Sequence, residues 1–204
     1  MKKKVFIVIA IIIVIAVGIV ISMKLFRERK PNTSINVSGT KALVVYYSAQ
    51  GHTENVAKTI AENLNADIFE IESKEEYTSS NLNYNDSNSR VTKEHNDESL
   101  RNIELKTTTV DNWNDYDVIL IGYPIWWGIA AWPVDTFVKA NDFTGKVVIP
   151  FCTSASSGVG DSANLLKEEA KGGDWLPGTR FSSSATNETI KEWVTGINVK
   201  KGEK

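Results

Sequence analysis

A chain of 204 residues, 42% hydrophobic and 24% charged, fits one globular domain with short appendages and excludes a wholly disordered or collagen-like protein. Its single cysteine, Cys152, excludes an intramolecular disulfide framework and a multi-cysteine zinc site, and two distant histidines, His52 and His95, argue against a metal site of histidine and cysteine alone. The net charge of −2 hides an asymmetry: residues 1–30 carry seven bases against Glu28 alone, which leaves 16 bases and 24 acids, net −8, in residues 31–204. An acidic body argues against nucleic acid as the main partner and suits a basic protein partner.

Lys2, Lys3 and Lys4 precede an apolar run from Val5 to Ile21, extended by Ser22 and Met23 to 19 residues. At about 1.5 Å per residue a helix of this length nearly spans a hydrocarbon core of about 30 Å. A cleaved signal peptide is the competing reading, but its apolar region is usually shorter and ends in small residues. This run ends in Ile21-Ser22-Met23-Lys24 with no Ala-x-Ala pattern. Residues 1–23 are therefore expected to be an uncleaved transmembrane helix, and residues 24–40 a basic and polar tether. With three bases before the span and four just after it, the positive-inside rule does not set the orientation. The working expectation is a signal anchor with the domain on the extracytoplasmic side.

Beyond the tether, strands and helices alternate over residues 41–199. Lys41–Tyr47 is a short β-rich apolar run of the kind found in buried parallel strands. Thr53–Leu64 places Val56, Ala57, Ile60, Ala61 and Leu64 on one helix face. Ala66–Glu72 alternates as a second strand. Residues 73–112 break the rhythm and are rich in Asn, Ser, Thr, Glu and Lys. A polar helix over Ser89–Leu100 fits there, Tyr77 and Tyr84 either pack back on the body or cover a ligand, and the segment as a whole reads as a solvated excursion. Asp117–Gly122 and Lys146–Cys152 are the third and fourth strands. Pro133 opens a helix through Val134–Ala140. Asp161 or Ser162 caps one running to about Ala170. Arg180–Ser183 is a weak fifth strand, and Asn187 caps a last helix through Thr195. The expected fold class is α/β, a doubly wound five-stranded parallel sheet, whose ligands bind beyond the carboxyl ends of the strands where strand order reverses.

Three loops at those ends carry the chemistry. Ser48-Ala49-Gln50-Gly51-His52-Thr53 offers hydroxyls and backbone N–H groups at a helix N-terminus, an arrangement that binds anions such as phosphate. No Lys or Arg lies between Ser48 and Ala57, and both the P-loop and G-x-G-x-x-G patterns are missing, which weighs against nucleoside triphosphates and dinucleotides. A plain polar turn with Thr53 as N-cap is the other reading of the same residues. The second loop, Gly122-Tyr123-Pro124-Ile125-Trp126-Trp127-Gly128, is followed by Trp132, giving three tryptophans within seven residues. Trp126 and Trp127 stand where a planar ring would stack, whereas Trp132 is equally explained by packing beneath its helix. The third loop, Cys152 to Gly160, is small and polar, so its backbone approaches a ligand edge closely. Cys152 closes an apolar strand with no histidine placed to activate it and reads as structural.

Taken together these motifs give residues 41–197 a resemblance to the flavodoxin family. Ser48–Thr53 is similar to the family's phosphate loop, S/T-x-T-G-x-T, with Gln50 in place of the usual hydroxyl. The Gly122–Gly128 run, Trp132-Pro133, Thr136-Phe137, Phe143-Thr144-Gly145-Lys146 and Phe151-Cys152-Thr153 resemble a bacterial flavodoxin-like subgroup. The resemblance implies strand order 2-1-3-4-5 and noncovalent FMN. Ser48, Gln50, Gly51, His52 and Thr53 would hold the phosphate, Pro124, Ile125, Trp126, Trp127 and Gly128 would flank the isoalloxazine, and Thr153, Ser154, Ala155 and Gly158 would reach the ring edge and ribityl chain. It further implies a low-potential electron carrier without catalytic side chains, served by redox partner proteins; the expected anchor would put such a partner at the membrane as well. An FMN-dependent NAD(P)H:quinone-type oxidoreductase and a flavin-free binding or scaffold module are the alternatives. A receiver-type signalling domain is rejected, because Tyr47-Ser48 and Gly122-Tyr123 stand where its acidic residues are needed.

Overall fold

A computed structural model describes residues 40–197. The expected anchor, nearly all of the tether, and residues 198–199 at the domain's expected end lie outside the described residues. Among the described residues no helix is long and apolar enough to cross a membrane.

The chain runs β1 (Ala42–Tyr46), α1 (His52–Leu64), β2 (Asp67–Glu70), α2 (Arg90–Asn96), two 3-10 turns (Glu98–Arg101 and Trp113–Asp115), β3 (Val118–Trp126), β4 (Ile129–Ala130), α3 (Trp132–Ala140), β5 (Val147–Ser154), α4 (Ser162–Glu169), β6 (Asp174–Trp175), β7 (Thr179–Ser182) and α5 (Asn187–Gly196). The sheet runs β2-β1-β3-β5-β6, with β4 off β3 and β7 beside β5. All pairings are parallel except β3 with β4. Every residue of β1 is buried, because helices cover both faces of a parallel sheet. On one face Val56, Ala57 and Ile60 of α1 meet Ile190 and Val194 of α5. On the other, Trp132, Val134 and Phe137 of α3 pack with Leu166 of α4.

The five strands expected from sequence become seven, and both additions have a local cause. β4 folds back on β3 through a tight hairpin. β6 and β7 share the outer edge of β5, interrupted at Leu176-Pro177-Gly178, where proline removes a donor. Between the pairs Val148↔Trp175 and Phe151↔Thr179 the outer edge carries one residue more than β5, a bulge. β3 also runs four residues past the expected end at Gly122, since Tyr123 and Pro124 keep pairing with Cys152 and Thr153.

Helix starts differ in detail. α1 begins at Gly51, whose φ of 81° is left-handed, so Thr53 sits inside the first turn and is not the cap. α5 is capped by Thr186, whose hydroxyl accepts from the Thr189 N–H, and not by Asn187. Ser89 caps α2, which stops at Asn96 because Asp97 adopts an extended backbone; the expected run to Leu100 finishes as a 3-10 turn.

Residues 73–112 are more than the solvated excursion expected. Their ends are zipped together: Lys74 N–H donates to Glu104 O at 2.8 Å and Lys106 N–H to Glu72 O at 2.8 Å. Tyr77, Val91, Ile103 and Val110 are buried in the core. Buried Glu94 accepts from the Tyr77 hydroxyl at 2.7 Å and from Arg90 Nε at 2.7 Å, and the Arg90 guanidinium lies 3.9 Å above the Tyr77 ring. Arg101 Nε and a terminal nitrogen donate to the Glu94 and His95 carbonyls at the end of α2.

Candidate functional site

The carboxyl ends of β1, β3 and β5 lie side by side, and Tyr47 N–H donates to Gly122 O at 3.0 Å to hold the first two together. Beyond β1 the chain turns through Ser48–Gly51 into α1. Only glycine holds the left-handed backbone at position 51 without strain. The first helical bond is Asn55 N–H to Gly51 O, so the N–H groups of His52, Thr53 and Glu54 have no acceptor within the helix. Among the described residues nothing hydrogen-bonds the Ser48 hydroxyl or the Gln50 amide side chain, whereas Glu54 is engaged by Lys58. Thr53 Oγ1 lies 2.7 Å from Thr153 Oγ1, both buried, which ties the first loop to the third.

β3 ends in Pro124-Ile125-Trp126, and Trp127-Gly128 form the two-residue turn of the hairpin with β4, where Trp126 pairs with Ile129. Both turn residues have positive φ, 51° and 85°, the pattern of a type I′ turn. A tryptophan in that conformation is strained. Its ring is stacked on His95 at 3.9 Å with 4° between the planes. Trp126 is half-buried and held by aromatic edges: Tyr77 at 4.9 Å, Tyr47 at 5.7 Å and Trp132 at 5.8 Å between ring centroids. Trp132 itself is fully buried, as the packing reading expects.

Beyond β5 the third loop is held from β7. Arg180 donates to Ser154 Oγ at 3.0 Å, Ser154 O at 2.9 Å and Ala155 O at 3.0 Å. Ser154 Oγ also donates to Ser157 O. Cys152 is buried, and desolvation pushes its thiol up to about 12 despite Arg180, so it is inert as a nucleophile.

These strand ends enclose a cavity of about 420 Å³. Of the residues singled out from sequence, Ser48, Gln50, His52, Thr53, Pro124, Ile125, Trp126, Trp127, Thr153, Ser154 and Ala155 line it. Gly51, Gly128 and Gly158 do not. Gly51 shapes the turn into α1, Gly128 completes the hairpin turn with nothing within 4 Å of where its Cβ would be, and Gly158 lies on the outer part of its loop near Gly160. Ala49, Leu82, Tyr84, Val91 and Ser183 line the cavity without having been assigned to it. Of the two tyrosines expected either to pack back on the body or to cover a ligand, Tyr77 packs into the core, and Tyr84, 68% exposed, lines the cavity. Leu82 and Val91 are single apolar residues in polar surroundings and give no periodic signal.

The family model described as Flavodoxin matches residues 41–197. No curated protein is matched by this chain. A candidate flavoprotein from Bacteroides uniformis is 37% identical, covering 76% of this chain and 98% of its own, with a TM-score of 0.70. A second, from Bacteroides eggerthii, is 35% identical over 79% of this chain and 100% of its own, also at 0.70. A Lactobacillus acidophilus flavoprotein solved in complex with FMN shares the fold at 24% identity over 76% of this chain and 99% of its own, with a TM-score of 0.58. With a family model spanning both the sheet and the three loops around its cavity, the chain belongs to the flavodoxin family.

Proposed function

We propose that this protein binds FMN and serves as a low-potential electron carrier, tethered to a membrane through residues 1–23. The observation that carries the reading is a cavity in which a cradle of uncommitted donors adjoins an aromatic wall. At one end stand the Ser48 hydroxyl, the Gln50 amide and the free N–H groups of the first turn of α1; at the other stand Trp126 and Trp127. That donor set suits a phosphate held by neutral groups and the helix dipole. When bound, FMN supplies the reversible uptake and release of electrons.

The chain's residues hold, orient and tune. Ser48, Gln50, His52 and Thr53 receive the phosphate, with Gly51 setting the backbone. Pro124, Ile125, Trp126 and Trp127 flank the ring, and Trp126 is pre-positioned by its three aromatic neighbours. Thr153, Ser154 and Ala155 reach the ring edge, held by Arg180 and Thr53. The net charge of −8 in residues 31–204 opposes the gain of negative charge and lowers the potential. The same charge suits a basic redox partner protein, at the membrane and on its extracytoplasmic side.

Potentiometry of the FMN-loaded protein is expected to give a midpoint potential below that of free FMN, with NADPH oxidised no faster than by free FMN. Rapid NADPH oxidation that reduces a quinone would replace the carrier reading with an oxidoreductase.

A further inference from the structure

Arg180, on the outer strand β7, is exposed, and among the described residues no carboxylate pairs with it. Its donors go to the third loop instead. Nε donates to Ser154 Oγ at 3.0 Å, and one terminal nitrogen donates to both the Ser154 and the Ala155 carbonyl, at 2.9 and 3.0 Å. The Ser154 carbonyl also accepts from the Ser183 N–H on the same edge at 3.2 Å. A planar guanidinium holds such a set in fixed geometry, which the rotating ammonium of a lysine does not.

These bonds decide what the loop shows to the cavity. A trans peptide points its C=O and its N–H in opposite directions, and no peptide bond among the described residues is cis. With the Ser154 and Ala155 carbonyls turned to Arg180, the N–H groups of Ala155 and Ser156 are turned away from it. For Ala155 that is the β3 side of the strand, where Pro124 and Ile125 line the cavity together with Ser154 and Ala155. Neither N–H has an acceptor among the described residues. The positive charge also reaches inward from β7: desolvation raises the Cys152 thiol, and Arg180 pulls against that rise.

We propose, resting on the reading of this cavity as a flavin site, that Arg180 is a positioning residue that sets the flavin potential, by turning the Ala155 and Ser156 N–H groups to the ring edge and backing them with a positive charge. An edge met by two N–H donors in front of a cation must be rich in acceptors, which selects the pyrimidine end of a flavin over its apolar dimethylbenzene end. Negative charge taken up on reduction gathers at that same end, where hydrogen bonds and charge tune the cofactor. Arg180 therefore acts against the net charge of −8 in residues 31–204, and holds the potential above the value that the acidic body alone would set.

The test compares the full chain as wild type, Arg180→Gln and Arg180→Lys. In the FMN-free protein the amide NMR resonances of Ala155 and Ser156 are expected to move in both variants, while those of Ser48–Thr53 stay in place. With FMN, Arg180→Gln is expected to weaken binding of the reduced cofactor about tenfold more than that of the oxidised one, which lowers the two-electron midpoint by about 30 mV. Arg180→Lys keeps the charge without the fork and is expected to fall by about half as much. Unmoved Ala155 and Ser156 resonances overturn the proposal, as does a midpoint in Arg180→Gln that is unchanged or higher. Equal weakening of both oxidation states gives that unchanged midpoint and makes Arg180 only a brace for the loop. Each of these results leaves the flavin reading standing, whereas a wild type that takes up no FMN removes that reading and the proposal with it.

Discussion

Replacing Gly122 with alanine is expected to cost about 3 kcal/mol of stability, near the upper end of overpacking effects. A Cβ at this position would lie 2.1 Å from the Phe151 ring, the residue it pairs with across β3 and β5. Phe151 has no room to retreat. It is fully buried, with Phe181 and Trp193 each at 6.4 Å between centroids. The strain falls at the strand end from which the aromatic wall projects, and Gly122 O is also the acceptor for Tyr47 N–H. Urea unfolding of Gly122→Ala alone and with Phe151→Leu checks this. The double variant is expected to recover part of the loss, whereas a single variant within about 0.5 kcal/mol of wild type contradicts the packing.

Glu94→Ala is expected to cost about 3 kcal/mol, as when one member of a buried charge pair is removed. It withdraws the acceptor from both the Tyr77 hydroxyl and Arg90 Nε, in a place where the Glu94 side chain is 5% exposed. Desolvation and then the Glu94 carboxylate hold the Tyr77 phenol well above its ordinary range, so it stays a neutral donor in this bond. Tyr77 in turn lies 4.9 Å from Trp126. The loss therefore travels to the cavity wall, and FMN affinity is expected to fall about tenfold alongside the unfolding midpoint. Glu94→Gln keeps an acceptor and loses less. Limited proteolysis is expected to cut residues 73–112 first in Glu94→Ala. A variant with wild-type midpoint and affinity would show that the segment is only a surface excursion.

The sheet's centre was legible because buried parallel strands leave continuous apolar runs, as in Ala42–Tyr46 and Val147–Cys152. The loops followed, since a doubly wound sheet puts its ligand at those strand ends. Other features left no local trace. The sequence puts the end of the third strand at Gly122, yet β3 continues through Pro124 to Trp126 because pairing with Cys152 and Thr153 comes from elsewhere in the chain. Trp127-Gly128 lacks the Asn-Gly signature of its turn, so the hairpin was invisible. The bond between Thr53 and Thr153 joins residues 100 apart, and the grip of Arg180 on Ser154 and Ala155 depends on β7 lying beside β5. The segment 73–112 hid its anchors because Tyr77, Val91, Ile103 and Val110 are scattered singly through polar sequence, with neither a helical nor a strand period.

FMN binding is tested most directly by the visible absorption spectrum of the purified protein after incubation with FMN and removal of the unbound fraction. A yellow protein is expected, one that releases about one equivalent of FMN on acid denaturation and does not retain riboflavin, which lacks the phosphate that the Ser48–Thr53 cradle is proposed to hold. A folded, colourless protein that takes up no FMN would contradict the reading of this cavity as a flavin site.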